Sequence, residues 1–121
     1  MKIAITSTGK DLESQVDPRF GRCQHFIVLD PDTMKFSSHD NQAGMQRGGA
    51  GPMAAKAISD LGATVVITGD VGPNAFDALK AAGIQAFIGA SGTVAQAIQK
   101  WKNKQLKEIG SASVTEHSGM R

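Results

Sequence analysis

Apolar and polar positions fall into blocks of two periods along the chain. Residues 2–6 form a short apolar run in which Ile3 and Ile5 share a face, which predicts a strand. Residues 7–22 show no period and hold Gly9, Pro18 and Gly21. A loop of that length inside a compact domain is often functional. Two strand-like runs follow, 25–30 and 34–39. In the first, Phe26 and Val28 point one way, and Ile27 and Leu29 the other. Asp30-Pro31-Asp32-Thr33 lies between them, and the preset φ of Pro31 suits a type I turn, so the pair reads as an antiparallel hairpin.

After a second glycine-rich loop, residues 40–52, the period changes to that of a helix. Met53, Ala54, Ala57, Ile58 and Leu61 recur at helical spacing and predict a helix over 52–61. Residues 64–68 are β-branched throughout without alternation, as in a strand covered on both faces. A helix then starts at Pro73, with Phe76, Leu79 and Ala82 inward, and residues 84–88 repeat the buried-strand pattern. Thr93 and Gln96 have capping-box spacing, and Val94, Ala97, Ile98 and Trp101 give the apolar stripe of a third helix. The order β-β-β-α-β-α-β-α predicts a three-layer α/β domain around a five-stranded mixed sheet, with parallel strands in its second half. The domain is expected over residues 1–105, followed by a polar, flexible tail, 106–121.

Composition narrows the function classes. The chain has 121 residues, 40% hydrophobic and 20% charged, near the globular average, and no apolar run long enough to span a membrane. Its start lacks the basic, apolar and small-residue segments of a signal peptide, and its one cysteine, Cys23, has no internal partner. A cytoplasmic protein is the expectation. Residues 1–99 carry eight Lys or Arg against nine Asp or Glu, and residues 100–121 five against two. The basic excess therefore sits in the tail, without the clustering and interleaved aromatics of a nucleic-acid domain.

Two constellations carry candidate chemistry. Gly48-Gly49-Ala50-Gly51, Gly69-Asp70-Val71-Gly72 and Gly89-Ala90-Ser91-Gly92 each run into a helix N-terminus. The last two follow parallel strands, at the edge where open α/β sheets bind ligands, and unpaired N–H groups there suit an anion. Every βα turn uses glycine, however, and no Walker or dinucleotide fingerprint is present. The second constellation is Asp17-Pro18-Arg19-Phe20-Gly21-Arg22-Cys23-Gln24-His25. Arg19 and Arg22 could clamp a carboxylate or a polyanion. If the strand already includes Cys23, that residue and His25 share a face and could ligate one soft metal centre. Alternatively, Cys23 is a small buried hydrophobe and His25 an ordinary strand residue. No nucleophile elbow or set of spaced carboxylates points to a hydrolase, and no catalytic residue is assigned.

The segment Asp17 to Cys23 with Phe26 downstream, then Gly48 to Gly51, then Val66-Ile67-Thr68-Gly69-Asp70-Val71-Gly72-Pro73-Asn74-Ala75-Phe76, resembles the dinitrogenase iron–molybdenum cofactor biosynthesis family. That family includes the NifX and NafY carriers, the C-terminal domain of NifB, and small stand-alone proteins of anaerobes. The resemblance implies a ribonuclease H-like fold and the binding or carriage, without turnover, of an anionic iron–sulfur or iron–molybdenum cluster or its precursor. In that reading Arg19, Arg22, Cys23 and His25 form one wall and the loops Gly48–Gly51 and Gly69–Asn74 the other, with Arg19, Phe20, Gly21, Arg22, Gly48, Gly49, Gly51, Gly69, Gly72 and Asn74 as the cofactor-binding residues. The nitrogenase carriers typically have His-Phe-Gly where this chain has Arg19-Phe20-Gly21. Ligation at that position is lost, which leaves Cys23 and His25 as metal ligands. The partners implied are the cluster or a small anion and a cluster donor or acceptor protein, with no nucleic acid and no membrane. A regulatory module for a phosphorylated metabolite or nucleotide is the alternative.

Overall fold

A computed structural model describes residues 1–42 and 49–109. In chain order the elements are β1 (Ile3–Ser7), β2 (His25–Leu29), β3 (Phe36–Asp40), α1 (Ala50–Asp60), β4 (Val65–Ile67), α2 (Pro73–Ala81), β5 (Gln85–Ile88), α3 (Val94–Lys102) and β6 (Lys107–Glu108). They form one sheet in the order β3-β2-β1-β4-β5-β6. β1, β4 and β5 run parallel, whereas β2, β3 and β6 pair antiparallel to their neighbours.

The expected five strands become six, and the chain order gains a final β. Lys107 and Glu108, read from sequence as tail, pair with Ile88 and Phe87. Both are exposed, so no apolar period marks them. The hairpin forms as expected, but β3 begins at Phe36 rather than Met34. Met34 has φ 63°, and the Asp30 carboxylate accepts the N–H groups of Asp32 (2.8 Å) and Thr33 (3.4 Å), a turn that uses residues 34–35.

Alternation divides the core into two layers. Ile3, Ile5, Ile27, Leu29, Val65 and Ile67 face α3, where they meet Val94, Ala97 and Ile98. Ala4, Phe26, Val28, Val66 and Ala86 face α1 and α2, where they meet Ala54, Ala55, Ile58 and Leu79. All five residues of β1 are buried, as befits a central strand. Met53, expected inward, is 46% exposed; α1 instead turns Ala50, Ala54, Ala55 and Ile58 into the core. Alanine at three of these four positions lets α1 approach the sheet and α2 closely.

Candidate functional site

The loop between β1 and β2 returns over the C-terminal edge of the sheet. Ser7 bridges to Val16, and Thr6 Oγ1 donates to the Asp17 carbonyl at 2.6 Å, which ties the loop to the end of β1. Thr6 Oγ1 also lies 2.8 Å from Thr68 Oγ1 at the end of β4. Next, Arg19 bridges in parallel to Asp70: Asp70 N donates to Pro18 O at 2.8 Å and Phe20 N to Asp70 O at 3.3 Å. The crevice beyond β1 and β4 is thus occupied by the chain itself. Gly69 is needed for this closeness, because a Cβ there would lie 2.6 Å from Pro18 Cα and Pro18 O.

Phe20 anchors the loop. It is buried at 8% exposure, its ring 6.2 Å from that of Phe26, and burial of such a ring stabilises by about 1.5–3 kcal/mol. Gly21 follows with φ 98°, and a Cβ on it would sit 3.0 Å from Gly51 Cα and N. Gly51 in turn abuts Ala75 at the start of α2, with 2.6 Å between a Cβ on Gly51 and that of Ala75. The loop and the starts of α1 and α2 therefore meet at one place.

A cleft of about 250 Å³ opens there, lined by Phe20, Gly21, Arg22, Gly49–Gly51, Pro52, Gly72, Pro73, Asn74 and Ala75. Seven residues expected at a site, Phe20, Gly21, Arg22, Gly49, Gly51, Gly72 and Asn74, line it together. Arg19 and Gly69 stand behind this lining: Arg19 Nε lies 3.4 Å from the buried Asp17 carboxylate, and Gly69 packs on Pro18. Gly48 lies outside the described residues. Among the described residues no acidic side chain lines the cleft, and neither α1 nor α2 has a side-chain cap. Two helix N-termini, each equivalent to about half a positive charge, thus adjoin beside Arg22. The arrangement suits an anion.

Cys23 and His25 lie on the other side of the loop. Strand β2 begins at His25, where the sequence pattern starts it, so Cys23 precedes it and the condition for a shared strand face is not met. Cys23 is 1% exposed, and its thiol pKa is pushed up to about 12, chiefly by burial and then by the Asp17 charge, against hydrogen bonds that lower it. It is a protonated thiol at neutral pH. His25 Nδ1 lies 3.0 Å from Asp40 Oδ1, near enough for an ion pair but out of line for a hydrogen bond. Among the described residues no three His, Cys, Asp or Glu gather as metal ligands. Cys23 and His25 border a separate cavity of about 590 Å³ with Lys10, Gln24, Asp40, Asn41 and Gln42, and Arg22 lines both cavities.

Asn41 carries no sequence signal, yet it organises this region. At 7% exposure, its Nδ2 donates to Gly21 O and Cys23 O, both at 2.9 Å, and reaches within 3.6 Å of Cys23 Sγ. The third glycine segment, 89–92, does not join the cleft, because the 12–16 loop covers the start of α3.

A sequence model for dinitrogenase iron-molybdenum cofactor proteins matches residues 1–104. The chain belongs to this family. The apo form of the orange protein from Desulfovibrio gigas is 41% identical and superposes with a TM-score of 0.90, over 93% of this chain and 96% of that one. A candidate NifB protein of Thermotoga is 34% identical, with a TM-score of 0.81 over 93% and 97%. An uncharacterized protein of Methanocaldococcus jannaschii is 23% identical over 112 residues, 90% of this chain and 92% of that one. No described helix in this family member is long and apolar enough to cross a membrane.

Proposed function

We propose that this protein is a non-catalytic carrier of an anionic metal–sulfur cluster, of iron–sulfur or iron–molybdenum type, or of its precursor. The observation that carries the reading is the junction of two helix N-termini and the Arg22 loop in a cleft that, among the described residues, has no side-chain caps and no acidic lining. Backbone N–H groups and a guanidinium stabilise an anion through charge and hydrogen bonds, without replacing its own ligands. Membership of the family supports a cluster as the anion.

Anaerobic reconstitution with ferrous iron and sulfide tests this. Charge-transfer absorbance should remain with the protein through gel filtration and weaken in Arg22→Ala. A colourless, iron-free wild type would refute the reading. Cys23→Ala and His25→Ala separate two ways of holding the cluster. Loss of absorbance in either means direct ligation; retention means that the cleft holds the cluster by amides and charge.

A phosphorylated metabolite is the second reading, favoured because no thiol or imidazole lines the cleft among the described residues. It predicts a ligand-dependent rise in melting temperature that Cys23→Ser leaves unchanged. A metabolite panel that gives no shift removes it.

A further inference from the structure

Asn41 does not line the cleft, yet it bonds to a residue that does. Both hydrogens of its side-chain amide go to carbonyl oxygens, Gly21 O and Cys23 O, at 2.9 Å each. The reverse orientation of the amide would set oxygen against two oxygens, so the partners fix which end faces the loop. The donor is itself anchored: Asn41 N donates to Gln24 O at 3.0 Å, directly after β3 ends at Asp40.

What the amide restrains is a peptide that turns easily. Gly21 has φ 98° and no side chain to resist rotation of the plane it shares with Arg22. A carbonyl oxygen turned into the cleft would face a bound anion and repel it, and would add negative charge beside the positive ends of α1 and α2. Clearance at this point is also small, since Gly21 packs on the backbone of Gly51.

We infer that Asn41 is a positioning residue for the cleft, holding the Gly21 carbonyl oxygen away from the anion, with its bond to Cys23 O fixing the amide in place. This rests on the reading of the cleft as an anion site. Nothing in the local sequence pattern marks Asn41; its role arises from the return of β3 alongside the loop.

The test uses two probes on the full chain: a cluster assembled from ferrous iron and sulfide, and inorganic phosphate followed through the amide resonances of Gly49 and Gly51. Asn41→Ala should bind at least tenfold more weakly. Ile98→Ala, a core variant in the opposite layer, should lose comparable thermal stability and keep wild-type affinity. If Asn41→Ala does not fold, Asn41→Asp keeps the volume and carries the same prediction. Affinity within twofold of wild type in the Asn41 variant would overturn the inference, as would an equal loss in Ile98→Ala. A wild type that takes phosphate but no cluster overturns the cluster reading, and the phosphate affinities then decide the role of Asn41. A wild type that takes neither overturns both.

Discussion

The start of α3 and the starts of α1 and α2 look alike in sequence and differ in what satisfies their backbone. At α3 the donors are taken. Thr93 and Gln96 form a reciprocal capping box, and Val94 N and Ala95 N donate to Ser14 O and Leu12 O, each at 2.9 Å. At α1 and α2 the capping positions are Gly49 and Gly72, with no side-chain cap, and Pro52 and Pro73 have no N–H to satisfy. A glycine-rich βα turn is therefore a ligand site only when the rest of the chain leaves its helix end open. The difference lies in the 12–16 loop, which crosses α3 and no other helix start.

The comparison can be broken most severely at Gly69. Gly69→Ala drives a Cβ into the Pro18 backbone, and with no flexible side chain to give way it should cost about 2–3 kcal/mol. Chemical denaturation should show the loss, and the Arg22 wall should lose its register with it. Gly72→Asp converts an open end into a closed one. A Cβ at Gly72 meets nothing within 4 Å, and its φ of −78° suits any residue. The new carboxylate should raise stability by a few tenths of a kcal/mol while lowering anion affinity about tenfold. Binding that survives this change would mean that the end of α2 is not used. Thr93→Ala is the converse variant: it removes the α3 cap at a cost of about 1 kcal/mol and should leave anion affinity unchanged.

At neutral pH the smallest effect is that of Cys23, which shows only as the solution turns alkaline. Its folded pKa of about 12 lies above the ordinary 9.0, so the folded state keeps the proton longer than the unfolded state. Its contribution is full below pH 9.0 and is lost as pH rises from there through about 12. Between pH 8 and 10, melting curves of wild type should decline slightly more steeply than those of Cys23→Ala. Parallel curves would show that burial does not hold the thiol neutral.

The two halves of this comparison were unequally legible in the sequence. The capping box of α3 was readable because Thr93 and Gln96 are three residues apart and complete their own bonds. The central strands were readable because covered strands need apolar, β-branched residues on both faces. The convergence of the arginine-bearing loop with Gly49–Gly51 and Gly72–Asn74 was expected with the help of the family resemblance, but that expectation also put Arg19, Cys23 and His25 in the wall, and none of these three lines the cleft. Long-range partners decided the rest. Neither the saturation of α3 by Leu12 and Ser14, nor the service of Asn41 to Gly21, nor the pairing of Lys107–Glu108 leaves a local pattern. A strand face shared by Cys23 and His25 required β2 to begin at Cys23; it starts at His25, and Cys23 stays in the loop as the small buried residue of the alternative reading.

The close approach of Gly51 to Ala75 gives the cleft a fixed width. The two helices that frame it are in contact through their smallest side chains, and that contact continues into the apolar layer beneath. A guest cannot push the walls apart without opening the interior. The cleft above this contact has a volume of about 250 Å³ and is open to solvent. Any ligand of the cleft meets backbone walls already in place, so its arrival need order little of the protein.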